Sequence, residues 1–153
     1  MADDPLVAGL PGTKGPTRAY EGVGIRVLWD ATRCIHTGNC LRAEPGVFNV
    51  GRRPWVDVDG ARAEAVARAI ETCPTGALRY EPVGDDLSEE QPQVPTVVEV
   101  RPNGPLFVRG AVRVIDASGR VLTEEPRLAL CRCGASRNRP FCDNTHREIG
   151  FRG

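Results

Sequence analysis

Three thiols and one imidazole fall within sixteen residues of this 153-residue chain: Cys131, Cys133, Cys142 and His146, spaced C-x-C-x8-C-x3-H. Thiolates bind soft and borderline metals, and a neutral imidazole is a good fourth donor. Cys131 and Cys133 are one residue apart, so both can reach the same metal from one short turn, whereas a disulfide between them would be strained. Pro140 and the Asp143-Asn144 pair suit a tight loop that returns Cys142 and His146 to the first two thiols.

The same stretch resembles the CDGSH iron-sulfur (mitoNEET-type) family, whose pattern is C-x-C-x2-[ST]-x3-P-x-C-D-G-[SAT]-H. Cys131, Cys133, Ser136, Pro140, Cys142, Asp143, Thr145 and His146 match it. Asn144 stands where the family has glycine. Asn is the non-glycine residue that best tolerates a left-handed backbone, so the turn is expected to survive. The likeness extends to Asn103-Gly104-Pro105-Leu106, Gly110 and Gly150-Phe151. It implies a [2Fe-2S] cluster held by Cys131, Cys133, Cys142 and His146.

At this length the chain holds one ordinary domain or two small ones. Twenty acidic and twenty basic residues balance, which gives no global drive toward nucleic acid or an anionic membrane. No apolar run is long enough to span a bilayer. The N-terminus lacks the basic and apolar regions of a secretory signal, so a cytoplasmic location is expected. There thiols stay reduced, and clustered cysteines bind metal or do redox work. Six cysteines against four Phe and two Trp suggest that metal sites supply part of the folding energy.

Residues 1–17, rich in glycine and proline, read as a mobile tail. Residues 18–83 read as a compact α+β unit. A strand is expected over Gly24–Trp29 and a helix over Ala61–Thr72, with Ala63, Val66, Ala67 and Ile70 on one face. Pro74 stops the helix, and a closing strand follows over Ala77–Tyr80. Short strands are expected at 46–50 and 54–56.

Cys34 and Cys40 bracket a loop able to wrap a cluster, and Cys73 approaches from the end of the helix. Proline directly after a cluster cysteine, as in Cys73-Pro74, is a ferredoxin habit. Trp29-Asp30, Cys34 to Cys40, Arg53-Pro54-Trp55 and Cys73-Pro74-Thr75-Gly76-Ala77-Leu78 resemble the divergent single-cluster ferredoxin-like domains. The resemblance implies a βαββαβ fold and a cubane-type cluster on Cys34, Cys40 and Cys73. Thr37 occupies the place of a common middle cysteine. Three thiolates alone suit [3Fe-4S]; a fourth ligand, His36 or solvent, would permit [4Fe-4S]. His36 has a blander alternative, as a loop histidine bonded to a sulfide or to water.

Residues 84–95 are acidic and broken by prolines, and read as a linker. Residues 96–153 then read as a small β-rich domain with strands at 96–101, 106–109, 111–115 and 128–130. Turns are expected at Asn103-Gly104 and Ser118-Gly119. One CDGSH-type motif per chain leaves two arrangements open: a homodimer, or the first domain in the partner's position. From residue 126 onward six arginines face only Asp143 and Glu148. Arg132, Arg137, Arg139 and Arg147 lie in or beside the cluster loop. They either stabilise a reduced anionic cluster and dock an acidic partner, or are solvated surface charges in a chain with a single lysine.

The leading functional expectation is a two-cluster one-electron carrier serving a partner redox enzyme. The alternative is a cluster-transfer or redox- and pH-sensing protein using the His-ligated centre. Structural zinc suits C-x-C and C-x3-H chemically, but it explains neither C-x5-C nor Cys-Pro. An enzyme is not expected. Gly22-Val-Gly24 lacks the third glycine of a phosphate loop and precedes a strand. Ser136 and Asp143 read as supports of the loop. Trp29 and Trp55 read as core residues.

Overall fold

The structure is a computed structural model and describes residues 6–7 and 17–153. The tail expected over 1–17 lies largely outside the described residues. Within it, β1 (Leu6–Val7) pairs antiparallel with β2 (Thr17–Glu21). β3 (Ile25–Asp30) and β4 (Leu78–Pro82) complete an antiparallel sheet in the order β1-β2-β3-β4. Tyr20 opposes Val27, and Val27 opposes Tyr80. Between β3 and β4 come a short helix α1 (Asn39–Ala43) and the helix α2 (Ala63–Glu71). The expected apolar face of α2 is the packed one: Val66, Ala67 and Ile70 are buried with Ile25, Val27 and Phe48, and Ala63 packs at the edge.

The strand order differs from βαββαβ. The described residues run β-β-β-α-α-β, and the two middle strands expected at 46–50 and 54–56 shrink to a single bridge between Phe48 and Val56. Asn49, Gly51 and Pro54 are turn formers that leave stubs too short for a ladder.

The second sheet contains β5 (Val97–Val100), β6 (Leu106–Ile115) and β7 (Val121–Leu130), antiparallel in that order. The strands expected at 106–109 and 111–115 are one strand interrupted at Gly110, where the register shifts between Arg109 and Val112. Gly110 has φ +151°, and an added Cβ would lie 2.2 Å from Thr96 Oγ1. β7 is longer than expected because Pro126 sits on an edge strand, where its missing N–H leaves no ladder bond unmade. A short helix, α3 (Thr145–Glu148), ends the cluster loop.

The two halves meet through buried charge. Arg33, 1% exposed, pairs with Glu125 of β7 at 2.8 Å. It also donates to the Thr75 carbonyl at 2.8 Å and stacks 4.5 Å above the Phe141 ring. Arg127 of β7 reaches the other way: it pairs with both oxygens of Glu90 and donates to the carbonyls of Cys73 and Leu78. Gly76 sits where the halves come closest. Its φ is +71°, and a Cβ there would lie 2.6 Å from both the Arg127 carbonyl and Glu125 Oε2.

A buried ion pair that loses one member leaves the other uncompensated. Glu125→Gln and Arg33→Met should each lower stability by about 3 kcal/mol, and the double variant by clearly less than the sum. Urea denaturation of the four proteins checks this; additive losses would mean the pair is not coupled.

Candidate metal centres

The first centre is framed by turns. Asp30 Oδ1 accepts from Thr32 N at 2.9 Å and Thr32 Oγ1 at 2.6 Å, fixing the turn that leads into Cys34. Gly38, at φ 73°, precedes α1 and lets Cys40 turn inward. Asn39 Nδ2 donates to the Thr72 carbonyl at 2.9 Å, tying the Cys40 loop to the Cys73 turn. Cys34, Cys40 and Cys73 thereby line one cavity of about 320 Å³, together with Trp29, Trp55 and Pro74. That volume lies at the small end of cofactor pockets, roughly 300–1,000 Å³. The two tryptophans meet edge to face at 5.0 Å and pack on the core as expected. Both indole N–H groups are buried without an acceptor in the protein. His36 is exposed, at φ 58°, with Nδ1 3.8 Å from Cys34 Sγ.

Burial pushes the Cys34 thiol up, and it drives Cys40 to about 11, with Cys73 and Cys34 adding their repulsion. Burial also acts on Cys73, but the Arg127 charge and the N–H groups of Leu78 and Thr75 outweigh it and hold that thiol below its usual range. Neutral thiols at this site become ligands only when a cation displaces their protons.

The second centre grows from the end of β7. Cys131 N donates to the Pro140 carbonyl at 2.8 Å and Cys142 N to the Ala129 carbonyl at 2.9 Å. These bonds fold the loop back on the strand. Ser136 Oγ donates to the Phe141 carbonyl at 2.6 Å and accepts from Asn138 N at 3.0 Å. Asp143 accepts from Arg137 N at 2.9 Å and Thr145 N at 3.0 Å. Ser136 and Asp143 therefore hold the loop. Asn144 has φ 76°, the left-handed conformation expected where the CDGSH pattern has glycine.

The four donors form two pairs. Cys131 and Cys133 Sγ are 3.8 Å apart, and Cys142 Sγ lies 3.4 Å from His146 Nδ1. Two donors on one tetrahedral metal at about 2.3 Å are separated by about 3.8 Å, so each pair has the span of a shared metal. Among the described residues no three His, Cys, Asp or Glu side chains gather round a single point. Burial raises the Cys142 thiol to about 11. Burial opposes Cys131 as well, yet the N–H groups of Ser136 and Gly134 hold it below its usual range. Burial and the Arg147 charge lower His146 and favour the neutral imidazole that ligates metal.

The family described as "Divergent 4Fe-4S mono-cluster" matches residues 20–82. Uncharacterized protein YjdI of Escherichia coli K12 is 41% identical over 66 residues, 43% of this chain and 87% of the relative. The YjdI protein of strain O157:H7 matches to the same extent. The chain belongs to the divergent 4Fe-4S mono-cluster family. Beyond that mono-cluster domain, residues 103–147 match the family described as "Iron-binding zinc finger CDGSH type". This is an iron-sulfur protein with a mono-cluster domain followed by a CDGSH-type domain.

The two domains touch at their ligand loops. Ile35, next to Cys34, is buried in one cluster with Cys142 and Ala129. Asn138 Nδ2 of the CDGSH-type loop donates to Thr32 Oγ1 of the mono-cluster domain at 3.2 Å. Neither contact, nor the roles of Arg33 and Arg127, is visible in residue spacing, because arginine in an arginine-rich chain carries no pattern of burial. Among the described residues no helix is long and apolar enough to cross a membrane.

Asn144→Gly removes the side chain from a left-handed position and should leave stability equal or higher by up to about 1 kcal/mol. Asn144→Val should cost about 2 kcal/mol, because a β-branched residue is strained there. Thermal melts of the holoprotein check the order; equal melts for the Gly and Val variants would refute the turn geometry.

Proposed function

We propose that this protein is a one-electron carrier with two clusters, serving a partner redox protein rather than catalysing a reaction itself. Cys131 and Cys133 hold one side of a [2Fe-2S] group, and Cys142 and His146 the other. Cys34, Cys40 and Cys73 hold a [3Fe-4S] or [4Fe-4S] group. Such groups take up and release single electrons. The contact of Ile35 with Cys142 carries this reading: the residue beside a ligand of one centre packs on a ligand of the other. That adjacency favours exchange between the two centres.

His36 Nδ1 lies as close to Cys34 Sγ as two donors on one metal do. Corners of a cubane each take one protein ligand, so this spacing favours a hydrogen bond to the Cys34 thiolate over a fourth corner. We place the protein in a reducing compartment, where its thiols stay available to iron.

EPR on anaerobically purified protein, before and after dithionite, with iron, sulfide and zinc analysis, tests the reading. A [3Fe-4S] or reduced [4Fe-4S] signal beside a reduced [2Fe-2S] signal is expected. Zinc without sulfide would overturn it.

A second reading, cluster transfer or redox and pH sensing, draws on one observation: His146 lines an open cleft that protons can reach. In His146→Cys a thiolate replaces a neutral donor, so the [2Fe-2S] potential should fall and cluster loss in mild acid should slow. Optical decay at about pH 6, near the ordinary range of histidine, is the measurement; identical decay in both proteins would show that the imidazole is not the labile ligand.

A further inference from the structure

The His146 cleft, about 600 Å³, lies between the two ligand loops. One wall carries Ile35, Thr37 and Pro74, each next to or within the loops of Cys34, Cys40 and Cys73. The other carries His146 itself and Arg147. Four arginines line it, Arg42, Arg101, Arg147 and Arg152, and among the described residues no Asp or Glu side chain does. This is notable in a chain whose acidic and basic residues are equal in number.

The charges are set on a firm frame. Arg42 donates to the Thr37 carbonyl at 3.0 Å and to Asn39 Oδ1 at 2.6 Å. Arg101 stacks on Phe107 and pairs with Glu99. Arg132 clamps the carbonyls of Gly104 and Arg101, each at 2.8 Å, and its guanidinium covers the Phe151 ring. Asn103 N donates to the Gly153 carbonyl at 2.7 Å, closing the same wall. Arg147 and Arg152 are exposed and have no carboxylate partner among the described residues, since Glu148 is taken by Arg137 at 3.4 Å. The cleft therefore offers unspent positive charge over a preorganised, partly aromatic wall that includes Phe107 and Phe151.

We propose that this cleft docks the acidic face of a one-electron redox protein, beside His146 of one centre and the loops that carry the thiols of the other. The proposal rests on the carrier reading and adds the partner's chemistry to it. Opposite charge steers encounter and fixes orientation, while the aromatic wall supplies the contact that survives salt. Arg42 is bonded to Thr37 on one wall and Arg147 adjoins His146 on the other, so the positive charge is carried by both walls.

The test uses holoprotein, with two acidic one-electron carriers as probes, a flavodoxin and a plant-type [2Fe-2S] ferredoxin, and cytochrome c as a basic control. Titration by calorimetry at low salt should show binding of at least one acidic probe and none of cytochrome c. Raising ionic strength to about 0.3 M should weaken binding on the order of tenfold. Arg147→Glu/Arg152→Glu should weaken it on the order of tenfold, and Arg42→Glu, on the other wall, should weaken it separately. Arg113→Glu/Arg120→Glu, away from the cleft, should not. Unaltered visible spectra of the variants show that their clusters are intact.

Failure of both acidic probes, equal binding by cytochrome c, or indifference to the cleft variants overturns the proposal. So does complete displacement of the probe by inorganic phosphate when chloride of matched ionic strength has no such effect, which would assign the cleft to a small anion. Reversible reduction by dithionite, followed on the same samples, stands apart. Clusters that cycle without docking overturn the docking alone, and docking without cycling overturns the carrier reading alone.

Discussion

The pairing of Arg33 with Glu125, buried to a few per cent exposure, is the interaction on which the arrangement of both domains depends. Two charges removed from water are tolerated only with near-complete pairing. Here Glu125 meets Arg33 across the domain boundary, with the Thr75 carbonyl and the Phe141 ring as additional partners of the guanidinium. Arg127 and Glu90 repeat the device a short distance away. Each half thus contributes an arginine to the other: Arg33 sits beside Cys34 and stacks on the neighbour of Cys142, while Arg127, four residues before Cys131, holds the carbonyl of Cys73. Loss of one member of either pair would leave the other charge buried without its counter-ion.

The thiol chemistry follows from the same packing. Burial raises Cys34, Cys40 and Cys142, whereas Arg127 holds Cys73 down and backbone N–H groups hold Cys131 down. Each centre therefore combines one thiol predisposed to ionise with at least one that needs the metal to ionise it. Iron bound at either site would release protons from the thiols that burial keeps neutral, and its binding would add to the stability of the fold.

Much of this was legible from residue order. The C-x-C-x8-C-x3-H spacing marks the loop on which the structure brings Cys131 to Cys133 and Cys142 to His146, and its Ser136 and Asp143 do the loop-holding work anticipated. Asn144 adopts the left-handed turn. The apolar face of α2 follows from its period. Less legible were the strands. Pro126 and the glutamates of β7 disguise a ten-residue edge strand, and the β-prone stretches around Phe48 and Trp55 are too short between turn formers to pair as more than a bridge. Residues 84–95 look like a solvated linker by composition, yet Glu90 is the half-buried partner of the buried Arg127. Charge patterns describe a residue's water affinity, and whether another chain segment meets that affinity is decided only by the fold.

The reach of Arg127 also orders events during synthesis. Its guanidinium caps a carbonyl fifty-four residues earlier in the chain. The mono-cluster domain leaves the ribosome with all three of its cysteines, but without the side chain that closes the Cys73 turn or the carboxylate that neutralises Arg33. Until β7 arrives, that turn stays open to water and Arg33 has no buried berth. The Cys73 turn therefore gains its full set of contacts only when the second half of the chain is being completed. The direction of translation thus presents Cys34, Cys40 and Cys73 before the residues that brace their loops from the other domain.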